Sequence, residues 1–150
     1  FVHSEKAINN RPGRDASSDG AELDAYFFWR GLRRYINAGY IYKTENSQAD
    51  RFDFDSHTAK LRFLQRFGFY DELASFEIGA RYEYRDYLSI TPTIGTERYD
   101  RRFRIKAELE LPLSKNVFWQ LYGVYGNYDS NLSFADYQQT VIGTRLEIDF

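Results

Sequence analysis

The sequence predicts an all-β fold: an antiparallel up-and-down transmembrane β-barrel with about eight strands in this chain. Three observations carry that expectation. Apolar and polar residues alternate with period two through one segment after another. The polar connections alternate between short and long, as the periplasmic turns and extracellular loops of outer-membrane barrels do. The 150 residues include 13 Tyr, 13 Phe and 2 Trp, gathered toward the ends of the alternating segments.

The bulk composition narrows the alternatives. A chain of 150 residues fits one domain, here residues 1–150. The absence of cysteine excludes a disulfide framework and a thiolate metal site. A formal net charge of -2 argues against a nucleic-acid partner. No stretch approaches the roughly 18 consecutive apolar residues of a membrane helix. The mean hydropathy of -0.62 reads as soluble, yet strands that are apolar on one face and polar on the other average to the same value.

Residues 2–8 form a short candidate first strand. Residues 22–30 place Leu23, Ala25, Phe27 and Trp29 on one face and Glu22, Asp24, Tyr26, Phe28 and Arg30 on the other. Residues 36–43 set Ile36, Ala38, Tyr40 and Tyr42 against Asn37, Gly39, Ile41 and Lys43. Residues 59–67 set Ala59, Leu61, Phe63 and Phe67 against Lys60, Arg62, Leu64 and Arg66, with Gln65 interrupting the apolar face. Residues 76–85 set Phe76, Ile78, Ala80, Tyr82 and Tyr84 against Glu77, Gly79, Arg81, Glu83 and Arg85. The contrast is greatest in residues 102–111, where Phe103, Ile105, Ala107, Leu109 and Leu111 oppose Arg102, Arg104, Lys106, Glu108 and Glu110. Residues 117–127 carry aromatics on both faces, and Val117, Trp119, Leu121 and Tyr125 are taken as outward because the other choice puts Gln120 in lipid. In residues 141–150, Ile142, Thr144, Leu146, Ile148 and Phe150 share one face and Val141, Gly143, Arg145, Glu147 and Asp149 the other.

The connections then sort by length. Short ones are expected near residues 31–33, 68–72 and 112–116, and long polar ones near 9–20, 44–55, 86–97 and 129–136. With Phe150 at the periplasmic end, the short connections share that side and the long ones lie outside. A tilted strand needs roughly 9–11 residues to cross the hydrocarbon core, and residues 103–111 supply such a strand. Aromatic girdles are expected at both interfaces: Tyr40, Tyr42, Tyr82, Tyr84 and Tyr125 toward the outside, Trp29, Phe67, Phe76, Trp119 and Phe150 toward the periplasm.

At this point two resemblances enter. A terminal Phe150 on an amphipathic strand with Ile148 and Leu146 resembles the signal read by the outer-membrane barrel assembly machinery. Arg145 stands where that pattern usually has Gly, and Gly143 precedes it. The segments FDFDSHTAKLRF, GARYEYRDYLS, RYDRRFRIKAELELPLSKNV and YGNYDSNLSFADYQQTVIGTRLEIDF resemble the barrel region of surface lipoprotein assembly modifiers and related tetratricopeptide-bearing outer-membrane proteins. In that group a periplasmic helical-repeat domain precedes a larger barrel. The resemblance implies a C-terminal barrel piece or a short relative, located in the bacterial outer membrane and serving export or translocation. Its implied partners are membrane lipid and lipopolysaccharide, the assembly machinery, and another chain or a preceding segment that completes the barrel.

The candidate functional feature is a ladder of inward charges: Lys60, Arg62, Glu77, Arg81, Glu83, Arg85, Arg102, Arg104, Lys106, Glu108, Glu110, Arg145 and Glu147. In a closed eight-stranded barrel side chains just fill the interior, and such charges pair into a solvated plug. In a wider pore the same ladder is a basic constriction for anionic solutes. Asp53, Asp55, Ser56 and His57 form a second candidate, because an Asp–His or Ser–His pair can activate a hydroxyl. Adjacent strand residues point to opposite faces, so this pair is expected to be non-catalytic. Asp129, Ser130 and Asn131, and Asn46, Asp50 and Asp53, are carboxylate-rich loops without EF-hand spacing. The chain is therefore read as a non-enzymatic barrel without metal or cofactor. The alternatives are a small closed barrel with a structural or surface-interaction role and an outer-membrane hydrolase.

Overall fold

The computed structural model describes residues 2–6, 16–29 and 31–149, with the backbone alone for residues 2–6. The strands are β1 (Val2–Lys6), β2 (Ala16–Trp29), β3 (Arg34–Ser47), β4 (Phe54–Phe69), β5 (Glu72–Thr91), β6 (Thr96–Ser114), β7 (Val117–Ser130) and β8 (Tyr137–Ile148). They form one antiparallel sheet in chain order, each strand beside its predecessor. The expected up-and-down topology is thus present. β1 is short, so the seven strands β2–β8 carry the sheet.

The sheet is not closed. β1 pairs with Ala16–Gly20 of β2, leaving residues 21–29 without a neighbour on that side among the described residues. β8 pairs with β7 alone. The sequence left open whether the chain closes on itself or is completed by another chain or segment; among the described residues the sheet is open. Alternation cannot distinguish the two cases, because it is the same in an open sheet as in a closed one. Arg30 and Phe150 lie outside the described residues, as does most of the expected 9–20 loop.

The register confirms the alternation strand by strand. One continuous row crosses seven strands as Ala25, Ala38, Leu61, Ala80, Ile105, Tyr125 and Thr140. The next is Phe27, Ile36, Phe63, Ile78, Ala107, Gly123 and Ile142. Nearly every position read as outward from the sequence falls in such rows, and the charged ladder fills the opposite face.

The strands are longer than expected. β5 runs to Thr91 and β6 begins at Thr96, so most of the 86–97 loop is strand, closed by a turn with Gly95 at φ 69°. Thr44–Ser47 likewise belongs to β3 and Asp129–Ser130 to β7. Backbone pairing continues there between residues that are polar on both faces, such as Thr44 opposite Asp55 and Asp86 opposite Tyr99. Hydropathy carries no mark of such strand. At the other end, β4 passes through Gly68, and the tight turn places Tyr70 at φ 53°. That left-handed position is uncommon for a residue with a Cβ.

Candidate functional site: the charged face of the sheet

Burial on this sheet runs opposite to that of a water-soluble protein. The buried polar residues are Ser18, Asn37, Ser56, Thr58, Glu83, Asp100 and Ser130, and by strand phase every one lies on the charged face. Across the sheet, Leu23, Phe27, Leu61, Ile78, Leu121, Ile142, Leu146 and Ile148 are exposed. In β4, Thr58 is 3% exposed while Leu61 is 55% exposed. The charged face is thus the crowded one, and among the described residues no large side chain is fully buried.

The ladder is cross-linked along and across strands. Lys60 on β4 reaches over β3 to Glu22 and to Asp24 of β2, the latter at 3.1 Å. The strand between presents Gly39, which pairs with both Asp24 and Lys60. A Cβ there would overlap Lys60 Cε and Asp24 Oδ1. Asn37 Nδ2 donates to Asp24 Oδ1 at 3.0 Å and completes the cluster. Replacing a strand glycine by alanine ordinarily stabilises by about 0.5–1 kcal/mol. Here the overlap displaces the ion pair at about 1–3 kcal/mol. Gly39→Ala is therefore expected to lower stability by about 1 kcal/mol, read as a denaturant midpoint. In a Lys60→Ala background the same change should stabilise; a loss of equal size there would refute the bridging role of Gly39.

Around Glu83, 7% exposed, three arginines converge. Arg81 lies at 3.2 Å, Arg85 donates from Nε, and Arg102 lies at 3.9 Å. Arg98 holds Asp100 through two hydrogen bonds of 2.8 Å, Arg102 adds a contact of 3.8 Å, and Tyr87 donates at 3.3 Å. Phe54 packs on Tyr87 with centroids 5.5 Å apart, and Arg85 lies 4.7 Å over the Phe54 ring. The sequence reading missed Phe54, Tyr87, Arg98 and Asp100 because they sit beyond the apolar stretches. The period-two phase of the charged face, carried further along β4, β5 and β6, would have included Phe54, Tyr87 and Asp100.

Toward the other end, Arg62 reaches Glu77 at 3.9 Å and Lys106 reaches Glu108 at 2.6 Å. Gln120 Nε2 donates to Glu110 at 2.8 Å and to Glu147 at 3.4 Å. Arg145 lies opposite Gln120. The ladder residues of β5 and β6 are neighbours, as expected, but not uniformly of opposite sign. Glu83 faces Arg102, whereas Arg81 faces Arg104 and Glu77 faces Glu108. Directly opposed like charges are unfavourable, and the cations relieve this by leaning along their own strands.

The apolar face carries the expected aromatics. Tyr40 and Tyr82 occupy one row and Tyr42 and Tyr84 the next, separated by Ala59 and His57 of β4. Trp29 and Trp119 lie toward the opposite strand ends. Trp119 Nε1 donates to Thr144 Oγ1 at 2.6 Å, and Trp29 stacks on Phe63. Ile148 and Leu146 pair with Val117 and Trp119 on this face. The backbone N–H of Asp149 donates to Asn116 O at 2.9 Å, clipping the end of β8 to the β6–β7 turn.

The hydrolase candidates are not brought together. Ser56 lies on the charged face with its hydroxyl toward Lys43 O at 3.4 Å. His57 lies on the apolar face, its Nδ1 2.5 Å from the Tyr40 hydroxyl. Asp55 accepts from Tyr42, and Asp53 accepts from the Ser47 N–H. The polar loops are similarly occupied: Asn131 accepts from the Tyr99 N–H and donates to Glu97 O, and Asp136 accepts from the Ser130 N–H. Among the described residues no group of three or more His, Asp or Glu is placed to hold a metal. Comparison with protein-family models, curated proteins and solved structures finds no match.

Proposed function

We propose that this chain is part of the wall of an outer-membrane β-barrel, non-enzymatic, belonging to an export, translocation or pore-forming system. Its apolar face meets lipid and its charged face lines an aqueous interior. The observation that carries this reading is the inverted burial. Ion pairs crowd one face while a continuous apolar face of seven strands is left uncovered. Water would penalise that face, at about 25 cal/mol per Å², whereas hydrocarbon favours it. Strands cross a bilayer only as closed barrels, because an open edge leaves backbone groups unpaired in lipid. β2 and β8 run in the same direction, so their direct pairing would be parallel. An odd number of further full-length strands, from another chain or another segment, completes an antiparallel wall of even strand number, and three or more are needed for a lumen wider than the filled interior of an eight-stranded barrel. Membrane lipid, lipopolysaccharide at the long-strand end and the assembly machinery are the corresponding partners.

The two tryptophans test this directly. Mixing the unfolded chain with phosphatidylcholine vesicles, where copies of the chain can supply one another's missing strands, should shift their emission to the blue, and bromine-labelled lipid should quench it, since both lie on the apolar face. A monodisperse, fully folded chain in detergent-free buffer, with no quenching by brominated lipid, would overturn the proposal.

A further inference from the structure

We infer that the charged face holds a binding site for a phosphoryl-bearing anion, centred on Arg104; this rests on the charged face being open to water. None of the four nearest charged-face neighbours of Arg104 is acidic. Across β5 it faces Arg81, and across β7 it faces Gly126. Along its own strand the same-face neighbours are Arg102 and Lys106. Three cations and a residue without a side chain therefore surround it, and among the described residues it makes no ion pair. Arg81, Arg102 and Arg104 line a cavity of about 170 Å³ with Tyr128 and Glu83.

The acid in that cavity is already committed. Glu83 is contacted by Arg81, Arg85 and Arg102. A guanidinium has five N–H donors, so Arg81 and Arg102 keep donors after serving Glu83, and Arg104 keeps all of its own. Planar forks of this kind match the oxygens of a phosphoryl group in paired hydrogen bonds. Lys60, opposite Arg81, is held by Glu22 and Asp24, and Lys106 by Glu108, so the uncommitted donors are those of the three arginines. Next to this cavity Gly79 separates Arg62 from Lys106, and a Cβ there would meet nothing closer than Leu61 O at 3.6 Å. The surface thus leaves space where the cations converge. The ligand class is a water-soluble solute carrying one or more phosphoryl groups, as a substrate passing the lumen or a resident counter-ion.

The test is calorimetric titration of the full chain, reconstituted in vesicles at low ionic strength, with pyrophosphate. Saturable binding is expected, weakened at least tenfold by Arg104→Gln and unchanged by Arg145→Gln, a charged-face arginine outside the cluster. Equal binding by wild type and Arg104→Gln, or no saturable binding, overturns the site. Tryptophan quenching by brominated lipid in the same samples separates the two ideas. A chain that inserts without binding refutes the anion site alone. A chain that binds through Arg104 without inserting refutes the barrel alone.

Discussion

Leu61→Arg is expected to destabilise the membrane-inserted chain by about 2–4 kcal/mol, the cost of an arginine on the lipid face near the bilayer midplane. Leu64→Arg, three residues along the same strand, is expected to cost less than about 1 kcal/mol. The two leucines differ in the face they occupy. Leu61 lies midway along the apolar face of β4, between Ala38 and Ala80. Neither neighbour offers a hydrogen-bond acceptor, and both are too small to shield a guanidinium. Leu64 lies on the charged face between Tyr35 and Glu77, where an arginine gains an aromatic ring and a carboxylate. Exposure in water would rank the pair the other way. Leu61 is 55% exposed, and a surface substitution of that kind usually changes stability by less than about 0.5 kcal/mol. Denaturant unfolding from vesicles, with both variants measured against wild type, decides the matter. A Leu61→Arg chain as stable as wild type would remove lipid from the apolar face.

How much of this was legible in the sequence follows from what alternation encodes. Period two fixes which residues share a face, so the rows through Leu61 and Phe63 and the membership of the charge ladder could be read directly. It does not fix register beyond parity. Arg81 opposite Arg104 follows from one register, and a slip of two residues would have set Arg81 against Arg102 or Lys106. The β5–β6 turn, with Gly95 at φ 69°, and the register shift between Asp86 and Ile90 select among these. Strand ends were illegible for a different reason. Past the apolar stretch the faces of β5 and β6 are mixed, with Asp86 and Ser89 beside Leu88 and Ile90, so hydropathy no longer marks where the paired backbone continues. The buried Asp100–Arg98–Tyr87 cluster is in that extension. Closure was illegible as well, because it depends on the partner of residues 21–29 rather than on their pattern.

Glu83→Gln is expected to cost about 3 kcal/mol, the lower end of the range for removing one partner from a buried charge network. The isosteric amide keeps the shape and one acceptor oxygen but removes the only anion that Arg81 and Arg85 contact among the described residues. Arg102 retains Asp100 at 3.8 Å. The estimate stays at the low end because the arginine side chains are partly solvated, with Arg81 about half exposed. A surface ion pair would lose less than about 1 kcal/mol, so the size of the loss separates a network that holds the sheet from decoration on it. Adding Arg102→Gln to Glu83→Gln should recover part of the loss, since it relieves the repulsion that the first change exposes, and the double-mutant cycle measures that coupling. Denaturant midpoints of the four chains are the measurement; a Glu83→Gln loss under 0.5 kcal/mol would overturn the account. The same substitution bears on the anion site from the opposite direction. With its carboxylate gone, the cavity of Arg81, Arg102 and Arg104 faces a phosphoryl group without a competing acid. Pyrophosphate should then bind Glu83→Gln more tightly than wild type and return some of the lost stability, because a ligand that prefers the folded state stabilises it by mass action.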